Sequence, residues 1–134
     1  MDFTVESEPR PILPDGIYNA AYVKASRGSY YGPKLYIHFR IVDEGPCFGV
    51  EIFRAYNLYQ KLCRASDLYR DLSMIYGSKV QKNTRLSLKL FRGKVFRIRT
   101  RTVTQDRKQT RLPEHERYSV VDQVISMETG GKSL

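Results

Sequence analysis

A chain of 134 residues with 41% hydrophobic and 12% aromatic side chains has the size and composition of one folded domain, which argues against a disordered basic tail and against a two-domain enzyme. Its formal charge of +9 calls for an anionic partner, and residues 78–111 concentrate that charge: twelve Lys and Arg stand there against one acid, Asp106, a net of +11 that leaves −2 on the other hundred residues. No apolar run approaches the ~18 residues of a membrane span and no basic amphipathic helix is evident, so a membrane is the weakest of the anionic candidates.

In chain order, residues 1–14 read as an N-terminal arm in which Pro9, Pro11 and Pro14 oppose regular structure. Pro14-Asp15-Gly16 is a turn that releases a first strand over 17–26, and 27–33 forms a glycine-containing loop with Tyr30 and Tyr31 at its centre. The second strand, 34–42, alternates cleanly: Leu35, Ile37, Phe39 and Ile41 face one way, Lys34, Tyr36, His38 and Arg40 the other. Glu44-Gly45-Pro46 turns the chain into a third strand over 49–56. Leu58 and Leu62 suggest an extra turn, after which Ser66 is a good N-cap for a helix over 67–76, closed by Gly77, with Leu68, Leu72 and Ile75 on one face. In the basic half, a short segment over 86–91 and a turn at Arg92-Gly93-Lys94 precede a fourth strand, 95–104. A polar loop, 105–116, leads to a last strand over 117–125, and 128–134 reads as a tail. The expected fold is mainly β with one or two helices. Three strands, a helix and two strands follow the order of an OB-fold, a five-stranded Greek-key barrel with its helix between strands three and four, here spanning 15–126.

Arg97, Arg99 and Arg101 alternate with Phe96, Ile98 and Thr100, so a strand sets the three arginines in a row roughly 6–7 Å apart on one face. Like charges at that spacing repel, and a polyanion laid across them relieves the repulsion and releases counterions. One or two lysines suffice to keep an edge strand from aggregating; here Lys94 precedes the arginines, and Arg107, Lys108 and Arg111 follow them. The polar face of strand two, Lys34, Tyr36, His38 and Arg40, sits in the strand that supplies an OB-fold's binding face, with an aromatic for bases and a guanidinium for phosphates. Tyr30 and Tyr31 lie in the loop bordering the groove of such a fold, as stacking platforms or as a cap on the barrel end. Phe53 and Arg54 are adjacent in strand three, so only one of them can face the groove.

Enzyme chemistry finds little support. His38 and His115 are far apart in sequence and in no metal-ligand spacing, no phosphate-binding glycine loop is present, and Asp43-Glu44 reads as a solvated corner. Neither Cys47 nor Cys63 falls in a CxxC or Cys/His pattern; both are expected as free thiols in a reducing cytoplasm. Residues 1–14, acidic and without an apolar core, do not read as a secretory leader.

Leu13-Pro14-Asp15-Gly16-Ile17-Tyr18, then Lys34-Leu35-Tyr36-Ile37-His38-Phe39-Arg40-Ile41 and Gly49, resembles the opening of OB-fold single-stranded-DNA-binding proteins of phages and other mobile elements. Gly93-Lys94-Val95-Phe96-Arg97-Ile98 and Tyr118-Ser119-Val120-Val121 resemble their end. The resemblance implies coating of single-stranded DNA in replication, recombination or transfer, without sequence preference or cofactor; the expected ligand is single-stranded nucleic acid, DNA ahead of RNA, with self-association and replication or recombination proteins as further expected partners. It places the binding role on Tyr36, His38, Arg40, Arg97, Arg99 and Arg101. The chain departs from that pattern in having no Trp and no long acidic C-terminal tail. The rival expectation is a protein-interaction module, an inhibitor or assembly factor docking the same basic face on an acidic partner. Duplex binding lacks a recognition helix, since the helix over 67–76 carries only Arg70 as a cation between its ends.

Overall fold

A computed structural model describes residues 11–29, 32–58, 66–77, 86–106 and 108–128. Five strands, β1 (Ile17–Ser29), β2 (Pro33–Ile41), β3 (Glu51–Asn57), β4 (Val95–Val103) and β5 (Tyr118–Glu128), form one antiparallel sheet in the order β3-β2-β1-β4-β5. Among the described residues one helix, α1 (Asp67–Tyr76), lies between β3 and β4 in the chain, and 3-10 turns occupy Leu88–Phe91 and Glu114–Glu116. The mainly β architecture is as expected. The closed barrel is not: among the described residues no ladder joins the edge strands β3 and β5.

The clean alternation of β2 sets the core. Leu35, Ile37, Phe39 and Ile41 are all buried, and β4 contributes Phe96 and Ile98 to the same side. Phe39, Phe91 and Phe96 pack as a tilted and edge-on trio with ring centroids 5.5–6.3 Å apart. Such pairs add roughly 0.5–1.5 kcal/mol beyond area burial. Phe91 belongs to the 3-10 turn, so this trio fixes the chain entering β4 against the middle of the sheet.

The helix follows its sequence signals. Ser66 Oγ accepts the Tyr69 N–H at 3.1 Å, and Gly77, at φ 82°, donates its N–H to Ser73 O. Its buried face is Leu68, Leu72 and Ile75 together with a carboxylate, Asp71.

Several boundaries differ from expectation. Leu13 is buried, its N–H reaches Ser119 Oγ at 2.9 Å, and Ser119 N–H reaches Pro11 O at 2.9 Å. The last residues of the expected arm are therefore bound to β5, because an apolar side chain followed by Pro14 docks more favourably than it hydrates. β1 runs on to Ser29 and β5 to Glu128. The β1–β2 register shifts between Tyr22 and Lys24, a bulge at Val23. Leu58 is not in a helix, and Leu62, Cys63 and residues 129–134 lie outside the described residues.

Candidate functional site

Direct pairs across a sheet point to the same side, so the registers define its outer face. Arg97 stands opposite Asn19, and Ala21 opposite Arg40. From Arg40 the same side of β2 carries His38, Tyr36 and Lys34, and His38 stands between Lys24 of β1 and Phe53 of β3. The arginine row of β4 and the polar row of β2 thus share one face, the side away from the core.

At one end of that face is an aromatic cluster. The Tyr36 and Phe53 rings meet edge-on, centroids 5.3 Å apart, and His38 lies 6.1 Å from Phe53. Tyr36 covers Gly28 across the β1–β2 pair so closely that a Cβ there would fall 2.6 Å from its ring. A side chain at position 28 would therefore have to displace that ring. His38 Nδ1 faces Glu51 Oε1 at 3.4 Å and its Nε2 pairs with Ser26 Oγ at 3.0 Å. Burial, and secondarily the Lys24 charge, hold His38 below its usual value of 6.5 against the opposing pull of Glu51. Glu51 also pairs with Arg40, Nη2 to Oε2 at 3.5 Å. β3 thus places a carboxylate on this face directly across from Arg40, although β2 itself contributes none. Lys34 donates to Asn57 Oδ1.

At the other end, Arg97, Arg99 and Arg101 are all exposed while Phe96 and Ile98 are fully buried behind them. Arg101 Nε is paired with Asp122 Oδ1 at 3.0 Å. Among the described residues no carboxylate pairs with Arg97 or Arg99. Ile17, 47% exposed, stands opposite Arg99.

The remaining expected residues fall in different places. Arg54 is buried: Nε meets Asp71 Oδ2 at 3.1 Å, Nη2 stands 3.7 Å from Asp67 Oδ2, and Nη1 donates to the carbonyls of Val121 and Asp122. It is removed from the interface, because it shares the core-facing parity of Ile52 and Tyr56. Lys94 is half-buried and donates to Leu90 O at 3.0 Å. Lys108 and Arg111 are exposed in the loop after β4, where Asp106 Oδ1 accepts the N–H groups of Lys108 and Thr110. Arg107, Tyr30 and Tyr31 lie outside the described residues. Asp43 is not a free corner, since its two oxygens accept from the Asn19 backbone and side chain at 2.8 Å each. Cys47 is a free, half-buried thiol.

Lys24 was not among the residues expected from sequence. Its parity in β1 is interrupted by the Val23 bulge, so simple alternation does not place it beside His38. Among the described residues no group of three or more His, Cys, Asp or Glu could hold a metal, and no helix is long and apolar enough to cross a membrane. Comparison with family models, with curated proteins and with solved structures finds no match to this chain.

Proposed function

We propose that the chain binds single-stranded nucleic acid, DNA in the first instance, across the outer face of its sheet. The observation that carries this reading is the pairing on one face of two exposed arginines, Arg97 and Arg99, that meet no carboxylate among the described residues, with the Tyr36–Phe53–His38 ring cluster. Unstacked bases need flat rings, and the phosphates between them need cations that are not already paired. The strand order, with α1 between β3 and β4, supports an OB-fold-like barrel left open along the β3–β5 seam, where the Arg54 guanidinium bridges the two edges. The helix gives no support to duplex reading in a major groove, because Arg70 is its one cation and is paired with Asp67. The role this reading assigns is coverage of exposed single strands in replication, recombination or transfer, without sequence preference.

The test is photo-crosslinking to an oligonucleotide carrying halogenated uracil, followed by peptide mapping. Adducts at Tyr36 or Phe53 are the expected result. Efficient crosslinking confined to other peptides would move the site off this face.

A further inference from the structure

The β1–β4 ladder ends at Ala21 opposite Val95, with one further bond from Tyr22 N–H to Lys94 O at 3.2 Å, whereas β1 continues to Ser29. Past that point, among the described residues, the β4-side edge of β1 has no strand beside it. The Val23 bulge bends β1 at this place, and the 3-10 turn Leu88–Phe91 with the following Arg92 and Gly93 stands across from it. Between them lies a groove of about 500 Å³, within the roughly 300–1,000 Å³ of small-ligand clefts.

Its walls carry charge of one sign. Lys24 stands on the β1 side, Lys89 and Arg92 on the other, and all three are exposed. Among the described residues no acidic side chain lines the groove and none of the three cations pairs with a carboxylate. The far wall is held firmly. Phe91 is fully buried against Tyr22 with centroids 5.7 Å apart, Ser87 Oγ accepts the Lys89 N–H at 3.1 Å, and Lys94 Nζ ties to Leu90 O. Lys89 and Arg92 therefore project from a turn anchored in the core. Val23 and Leu88 supply apolar lining beside them.

We propose that this groove takes one nucleotide of the bound strand, its phosphate between Lys24, Lys89 and Arg92 and its sugar or base against Val23 and Leu88. The inference rests on the single-strand reading above and extends it past the sheet face. Lys24 joins the two regions, because it lines the groove and also stands directly across from His38 in the aromatic cluster. A strand leaving the rings of Tyr36 and Phe53 thus meets Lys24 next and then the groove.

The experiment measures affinity for a fluorescent single strand of ~20 nucleotides, a length above the 4–16 nucleotides typical of one such domain, over a range of salt concentrations. Wild type is compared with Lys89→Ala/Arg92→Ala and with Arg70→Ala, which removes one charge from α1. Thermal unfolding checks that each variant folds, and the crosslink at Tyr36 or Phe53 reports whether the sheet face is still occupied. Loss of two phosphate contacts lowers the slope of log affinity against log salt by about 1.4; that decrease is expected in the groove variant, with the crosslink retained and Arg70→Ala unchanged. An unchanged slope in the groove variant, with the crosslink retained, overturns the groove and leaves the sheet face standing. An equal loss per charge in Arg70→Ala means that net charge alone is being read, and also overturns it. Failure of the wild-type protein to bind the strand at all removes both readings.

Discussion

Arg54 on β3 and Asp71 on α1 meet at 3.1 Å with both side chains buried, and this pair ties the helix to a sheet edge. The same carboxylate oxygen accepts the Tyr56 hydroxyl at 2.6 Å, and the guanidinium lies over the Tyr56 ring at 5.0 Å from its centroid. Burial pushes the Asp71 carboxyl up, while Tyr56 and Arg54 draw it down. Burial, then Asp71, pushes the Tyr56 hydroxyl far above its ordinary value, so it stays a neutral donor. Removing Asp71 leaves the buried guanidinium with only the more distant, exposed Asp67 carboxylate and two carbonyls, and takes the acceptor from the Tyr56 hydroxyl. Asp71→Ala is expected to destabilise the fold by about 3–5 kcal/mol, and a denaturant titration measures it. Replacing Arg54 and Asp71 together by apolar residues of similar volume is expected to recover most of that loss.

The arginine row separates into paired and unpaired members. Arg97 and Arg99 have no carboxylate among the described residues, whereas Arg101 is engaged with Asp122. Arg97→Ala with Arg99→Ala is expected to lower the salt slope for single-strand binding by about 1.4, at about 0.7 per contact. Arg101→Ala is expected to change it less, since its charge is already partly met. Both follow from the same anisotropy titration.

The aromatic cluster gives a separate handle. Tyr36→Ala or Phe53→Ala is expected to weaken single-strand binding by about 1–3 kcal/mol, the usual size of one base stack, with the salt slope unchanged. Gly28→Val, which forces the Tyr36 ring aside, is expected to weaken binding in the same way without removing any ring. With ten tyrosines in the chain, the share of fluorescence quenching by oligonucleotides that is lost in Tyr36→Phe reports on the first ring.

His38 carries a pH dependence whose sign is fixed by its environment. Its folded value lies below 6.5, so the unfolded chain takes up this proton first as pH falls. The stability it contributes is complete above the unfolded value and is lost as pH falls through the folded one. Thermal unfolding from about pH 7 to about pH 5 is expected to fall more steeply in wild type than in His38→Gln. Parallel curves would show that His38 is as hydrated folded as unfolded.

Legibility in the sequence followed burial on one side. β2 was readable because a strand with one face in the core must alternate, and α1 because its ends carry their own caps, Ser66 and Gly77. Of the adjacent candidates Phe53 and Arg54, it is Arg54 that turns inward, sharing its parity with Ile52 and Tyr56. The signal lay in two places at once: a charge on the apolar parity of β3, and Asp71 on the apolar face of α1. Each alone looks like an error of pattern, and only their pairing explains both. Glu51 opposite Arg40, and Lys24 beside His38, depend on register and on a bulge, which no single strand's pattern contains.

The most direct measurement is fluorescence anisotropy of a labelled single strand of ~30 nucleotides, long enough for at least one site of the usual 4–16, with its duplex alongside, at two salt concentrations. The proposed function requires tight single-strand binding that weakens as salt rises and is at least as strong as binding to the duplex. No binding at low salt, or binding to the duplex alone, would contradict it.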